Sequence, residues 1–303
     1  MTQTKPGMFA ALMTALSDQG EFSEDRQRDL TTYVLGQGLD GLYVGGSSGE
    51  SGVLDCASLL AQQAVVRDVA QATNPYLIAH VGMPSLAESV ALAKNAGRLG
   101  YNALSALPPH AYPYSDDEIL AYYRALSQAT SLPMIVYEIP IRTGRPLPQP
   151  LLEDILDLPN VAGIKFTSTD LYKFSCLRRS RPEKTYYFGF DEIFSAAAAL
   201  GADGGIGTTY NLFGRLFAQL WHAVQAGDQA QVYALQTISQ EFVEILCVTG
   251  VLPGMKLAFR LAADINCGPV RAPLALRCSE DEAIALLEPF LSRSDVRPLI
   301  ATT

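Results

Sequence analysis

Lys165 lies in Ala162-Gly163-Ile164-Lys165-Phe166-Thr167, a run otherwise suited to a strand buried on both faces. An unpaired ammonium is costly in such a place, so the lysine is either paired structurally or kept neutral for nucleophilic work. Lowering a lysine pKa from about 10.4 to about 7.4 takes about 4 kcal/mol of differential stabilisation, which burial and nearby dipoles can supply. A neutral amine in that position attacks ketones. Gly45-Gly46-Ser47-Ser48-Gly49-Glu50 combines small residues, two hydroxyls and backbone N–H groups ahead of a helix. It is either a cradle for a carboxylate or an ordinary glycine-rich turn; it lacks the lysine and glycine spacing of a phosphate-binding loop or a dinucleotide fingerprint. Tyr137, two residues before Ile139-Pro140, is either a core aromatic or a proton shuttle.

Short β-rich runs must position these groups. They span 7–14, 41–45, 76–81, 102–107, 134–139, 161–166, 185–190 and 204–208, each separated by a stretch able to hold a helix, the first of them at 23–37. Eight near-continuous apolar strands alternating with helices predict a closed parallel (β/α)8 barrel of the TIM type rather than an open sheet. From Asn211 onward the pattern is helical, broken at 250–253 and 268–273. The expected organisation is a catalytic barrel over residues 1–226 and a C-terminal helical extension over 227–303. In such a barrel the site forms at the C-terminal ends of the strands. Ser47, Ser48, Tyr137, Lys165, Thr167, Gly189, Asp191, Glu192, Thr208 and Thr209 fall at five of those ends.

Of the 303 residues 49% are hydrophobic and 17% charged, enough for a large core without staples. The net charge of −9 and the absence of any basic stretch argue against nucleic acid or an anionic membrane as partner. Cys56, Cys176, Cys247, Cys267 and Cys278 are scattered, without a zinc-like spacing, and read as reduced thiols. His80 and His222 sit near no carboxylate cluster, and His80 is expected to be a hydrogen-bonded core residue. The first residues, Met1 to Pro6, lack the apolar stretch of a signal peptide, and no apolar run approaches the roughly 20 residues of a membrane span. A soluble, cytoplasmic protein is expected.

Gly45-Gly46-Ser47-Ser48-Gly49-Glu50, Tyr137-Glu138-Ile139-Pro140 and Gly163-Ile164-Lys165 together resemble the carboxylate loop, tyrosine turn and Schiff-base strand of the N-acetylneuraminate lyase and dihydrodipicolinate synthase superfamily of class I pyruvate aldolases. The resemblance covers nearly the whole chain, and residues 189–194 and 201–211 are similar to its lyase branch. It implies that Lys165 forms an imine with pyruvate, that Ser47, Ser48 and their N–H groups hold the pyruvate carboxylate, and that Tyr137, assisted by Ser47, relays a proton. Thr167, Gly189, Asp191, Glu192 and Thr208 would contact the sugar portion. The protonated imine is the electron sink, so no metal and no cofactor is implied.

Three positions depart from the family. Ala111 stands in Pro109-His110-Ala111-Tyr112 where a tyrosine normally enters a neighbouring subunit's relay; either Tyr112 substitutes through a shifted loop or the relay is incomplete. Arg142 matches the synthase branch, where arginine grips an acceptor carboxylate, or is a surface loop arginine. Glu138 replaces an asparagine. The expected reaction is reversible cleavage of N-acetylneuraminate (sialic acid) to pyruvate and N-acetylmannosamine by a homotetramer. Dihydrodipicolinate synthase, another 2-keto-3-deoxy acid aldolase and a non-catalytic 2-keto acid binding homologue remain alternatives.

Overall fold

Strands dense in branched and aromatic residues are driven together because each has apolar side chains on both faces and no exposed side to spare. In a computed structural model, which describes residues 4–300, they close completely. β1 (Gly7–Ala11), β2 (Gly41–Val44), β3 (Tyr76–His80), β4 (Ala103–Ala106), β5 (Met134–Glu138), β6 (Val161–Phe166), β7 (Thr185–Phe188) and β8 (Gly204–Gly207) form one parallel barrel in sequence order, with β8 returning to β1. The chain is thus a (β/α)8 TIM barrel with further helices at its C-terminal end. Residues 1–3 and 301–303, at the outer ends of the two expected ranges, lie outside the described residues.

Two cores follow from the period of two along each strand. Inward residues, among them Phe9, Tyr43, Ile78, Ile135, Tyr137, Tyr187 and Ile206, fill the barrel. Outward residues such as Leu42, Leu77, Leu104, Val136, Ile164 and Phe188 pack under the helices. The barrel is therefore filled and can hold a site only at its mouth.

Seven of the eight strands stop one to three residues short of the expected limits, always at the C-terminal end and in β4 at both; only β6 has the predicted bounds. The polar and glycine residues there leave the sheet to build the mouth. Helix Tyr210–Ala226 ends at Gly227, whose φ of 72° suits glycine. The break expected at 250–253 is a single residue: Gly250, with φ 90°, separates helices Gln229–Thr249 and Val251–Ala263. Pro253 falls in the first turn of the second, where its missing N–H leaves no bond unmade. Residues 264–279 form no helix before Glu280–Leu291. Among the described residues no single helix is long and apolar enough to cross a membrane.

Candidate active site

Alternation along β6 turns Lys165 into the barrel, in register with Tyr137 on β5 and Tyr187 on β7. Lys165 is 3% exposed, and its Nζ stands 4.2 Å from the ring centres of both Tyr43 and Tyr137. No hydrogen bond or ion pair holds it. Burial pushes its pKa down to about 7, against the attraction of Asp191. Among the described residues Lys165 has no ion pair within 4.0 Å, and Asp191 acts on it through its charge. Aromatic faces favour a cation weakly but accept no proton, so the amine keeps a free lone pair for much of its time near neutrality.

The loop after β2 is fixed from four sides. His80 Nδ1 contacts the Gly45 carbonyl at 3.0 Å, and Thr14 Oγ1, itself receiving a hydrogen bond from Gln62, donates to the Gly49 carbonyl at 2.6 Å. Glu50, in the left-handed region at φ 62°, accepts from the Arg271 N–H at 2.6 Å and pairs with the buried Lys256 at 2.7 Å. A Cβ on Gly46 would stand 2.4 Å from the Tyr43 ring, so only glycine lets the loop lie on that tyrosine. The result is a 3-10 turn, Ser47–Gly49, whose leading N–H groups have no intrahelical partners. Ser48 Oγ is 2.7 Å from Thr208 Oγ1, which joins the ends of β2 and β8.

On the opposite side, a Cβ on Gly189 would be 1.9 Å from Thr167 Oγ1 and 3.3 Å from Lys165 Cε. Glycine there is what allows Thr167 to stand beside the lysine. Asp191 Oδ2 accepts from the Thr209 N–H at 2.8 Å and from Thr209 Oγ1 at 2.6 Å. Its Oδ1, like Thr167 Oγ1, is buried without a partner. Burial raises the Asp191 carboxyl to about 7, and Glu192 is raised by burial as well.

All ten residues expected at the site, Ser47, Ser48, Tyr137, Arg142, Lys165, Thr167, Gly189, Asp191, Glu192 and Thr208, line one cavity of about 520 Å3. Burial raises the Tyr137 phenol, an effect opposed by the Ser47 hydroxyl, the Arg142 charge and the Thr167 hydroxyl. Arg142, on the short helix Pro140–Thr143, is exposed at the rim. Glu138 points outward instead: its Oε1 accepts from the Leu147 N–H at 3.0 Å and lies 3.6 Å from Lys173. His80 is a buried, hydrogen-bonded core residue, depressed to about 3 by burial and hence neutral. Tyr112 is 73% exposed, edge-on to Tyr114, and lines a separate cavity.

Sequence alone passes over several residues that shape the site. Tyr43 carried a signal, an aromatic at an inward position of β2. Thr209 is expected at the end of β8, but its bond to Asp191, 18 residues away, carries no local signal. The outer wall comes from beyond residue 226, where Val243, Leu246, Val251, Leu252, Leu274 and Arg277 complete the cavity. Nothing local marks them. The same is true of Gln236, Ser239 and Gln240, whose side chains bind the backbone of Asp191 and Glu192. Among the described residues no group of three or more His, Cys, Asp or Glu side chains could hold a metal ion.

Known proteins share this arrangement over most of their length. The chain is 39% identical over 278 residues to the N-acetylneuraminate lyase of Salmonella agona (strain SL483), covering 91% of this chain and 93% of the relative. Its backbone is similar to that of CdNal from Clostridium difficile in complex with mannosamine, with a TM-score of 0.90 and 28% identity over 95% of this chain and 98% of the other. A catalytic lysine mutant of the Ruminococcus gnavus sialic acid aldolase superposes with a TM-score of 0.88 and 27% identity, over 94% and 96% of the two chains. Residues 4–287 match the dihydrodipicolinate synthetase family. Because that match takes in every strand of the barrel and the helices that wall its mouth, the chain belongs to the dihydrodipicolinate synthetase family.

Proposed function

We propose that the protein is a Schiff-base-forming pyruvate aldolase, a carbon–carbon lyase that reversibly cleaves N-acetylneuraminate to pyruvate and N-acetylmannosamine. The observation that carries this reading is the buried, unpartnered Lys165 amine at the base of the cavity, with a pKa near 7. Its lone pair adds to the C2 ketone of the substrate, and loss of water leaves a protonated imine. Tyr137 relays a proton as the C3–C4 bond breaks: its phenol oxygen accepts the C4 hydroxyl proton while its own proton passes through the Ser47 hydroxyl to the substrate carboxylate, from which it returns to C3. The bonding pair moves into the imine to give an enamine, and the aldehyde leaves. Protonation at C3 and hydrolysis then release pyruvate and the free lysine. No step calls on a metal or a cofactor.

In this scheme Ser47, Ser48 and the N–H groups of their turn hold the carboxylate, and Ser47 assists Tyr137. Thr167, Gly189, Asp191, Glu192 and Thr208 hold the acceptor portion. Residues 1–226 act as the catalytic barrel, and 227–303 as the extension that walls its acceptor side. The lyase named among the relatives, the mannosamine complex and the catalytic lysine mutant all support the reading. We further infer a cytoplasmic homotetramer. Exposed Tyr112 and Ile141, the latter 77% accessible, give the rim of the barrel an apolar surface suited to another subunit.

Arg142 favours a second reading. A guanidinium on the cavity rim suits an acceptor with its own carboxylate, as in dihydrodipicolinate synthase or a 2-keto-3-deoxy acid aldolase. Borohydride reduction in the presence of pyruvate tests the common chemistry: mass spectrometry should find one three-carbon adduct on Lys165, lost in Lys165→Ala. An undiminished adduct in that variant would overturn the assignment. Sialic acid cleavage by the unsubstituted protein, surviving Arg142→Leu, separates the lyase from the synthase, whose aspartate semialdehyde turnover would be lost instead.

A further inference from the structure

A side chain from outside the barrel interrupts the turn that carries Asp191 and Glu192. In a continuous α-helix the Ser195 N–H would donate to the Asp191 carbonyl, four residues back. Here it donates to Gln236 Oε1 at 2.8 Å, and Gln236 Nε2 donates to the Asp191 carbonyl at 2.9 Å. The carboxamide therefore sits inside the bond that would close the helix, the kind of insertion that opens a helical ladder. The Asp191 carbonyl keeps the tighter bond from the Phe194 N–H, and the segment Asp191–Ile193 is a 3-10 turn ahead of helix Phe194–Ala199.

Gln236 is buried, on the helix Gln229–Thr249. One turn further along, Ser239 Oγ donates to the Asp191 carbonyl at 3.2 Å and Gln240 Nε2 to the Glu192 carbonyl at 2.9 Å. Positions i, i+3 and i+4 share a helix face, so a single face grips this turn. Of the three, only Gln236 both donates to and accepts from this segment, and a group that lacks either function cannot fill the gap. If the gap closed, the Asp191 backbone would move toward Ser195, drawing its carboxylate away from Thr209 and from the cavity.

We propose that Gln236 is a positioning residue for the acceptor end of the site: its carboxamide wedge sets where Asp191 and Glu192 stand. The inference rests on the aldolase reading above and extends it to a residue in the extension. Gln236→Leu removes both bonds, whereas Gln236→Glu keeps the size and the acceptor for Ser195 and, when ionised, loses the donor to Asp191. Both variants should raise KM for N-acetylmannosamine in the condensation direction, Gln236→Glu by several-fold and Gln236→Leu by about tenfold, the scale of one or two hydrogen bonds. The rate of borohydride trapping with pyruvate at about pH 9, where the Lys165 amine is neutral whatever the position of Asp191, should stay within about twofold, which also shows that the variants are folded. A wild-type KM for the sugar in both variants overturns the proposal. So does a parallel fall in trapping and sugar turnover, because the residue would then hold up the whole site rather than one end. Absence of any adduct in the unsubstituted protein is a different failure, that of the aldolase reading itself.

Discussion

Replacing Asp191 with asparagine should lower the pH at which Lys165 becomes nucleophilic. The Asp191 carboxylate favours the ammonium form of Lys165, and burial opposes that form more strongly, which leaves a pKa near 7. An opposite charge within about 4–6 Å moves a pKa by about 1–3 units. Asp191, itself raised to about 7, carries its full charge for only part of the range in which Lys165 titrates. The lower end of that interval applies, a fall of about one unit or about 1.4 kcal/mol. Asparagine retains an oxygen for the Thr209 N–H and Oγ1, so the side chain keeps its anchor while the charge is removed. The assay is the second-order rate of pyruvate trapping between about pH 5 and about pH 10, which reports the free enzyme. In the unsubstituted protein the rate should rise about tenfold per unit and level off near 7; in Asp191→Asn it should level off near 6. A rate still climbing through about pH 9 in the unsubstituted protein would refute the desolvation argument. An identical profile in Asp191→Asn would refute the coupling.

Lys165→Met should stabilise the fold. The folded-state pKa is depressed from 10.5 to about 7, so the unfolded chain takes up a proton that the folded chain refuses between those values. Stability is lost as pH falls through that window, by up to about 5 kcal/mol, and removing the amine should raise Tm by several degrees at pH near 7, read by calorimetry. Gly189→Ala should cut pyruvate trapping at least about tenfold with the circular dichroism spectrum unchanged, because its Cβ would displace Thr167 and press on Lys165. Lys256→Met should leave Glu50 buried without its partner and destabilise the protein by about 3–5 kcal/mol in urea unfolding. Lys256→Met with unchanged stability would show that the pair contributes nothing to the loop.

The barrel and the end of the cavity around Lys165 are legible in the sequence because local signals and global architecture agree there. Lys165 stands out as the one charge in its apolar strand; strand order puts it beside the tyrosine of β5, and inward alternation aims it across the barrel toward β2. The strand limits are less legible: Gly189-Phe190 continues the composition of β7 but turns out of the sheet to let Thr167 in. The acceptor wall is hidden for a different reason. Gln236 and Leu246 look like ordinary residues of an amphipathic helix, and only the packing of Gln229–Thr249 against Tyr210–Ala226 and the turn Asp191–Ile193 brings that surface over the mouth. Such long-range packing has no period in the sequence.

Glu138 acts on the rim of the cavity from outside the barrel. Strand alternation makes neighbours face opposite ways, so Tyr137 enters the barrel and Glu138 leaves it. Outside, its carboxylate binds the Leu147 N–H, and Lys173 both approaches it and donates to the Leu147 carbonyl. Burial raises this carboxyl to about 7 despite the lysine. The bond spans residues 138–147 and closes the loop that contains the short helix Pro140–Thr143. Arg142 is carried on that helix, at the rim of the cavity. A carboxylate in place of the family's asparagine is therefore felt through the loop and at Arg142, on the acceptor side. The loop that carries Ser47 is held by bonds outside residues 138–147, whereas Lys165 lies on β6, which pairs with β5 as far as Glu138. Changes in this loop and in the helical wall would alter the Arg142 side of the cavity, while the turn that carries Ser47 keeps its own bonds.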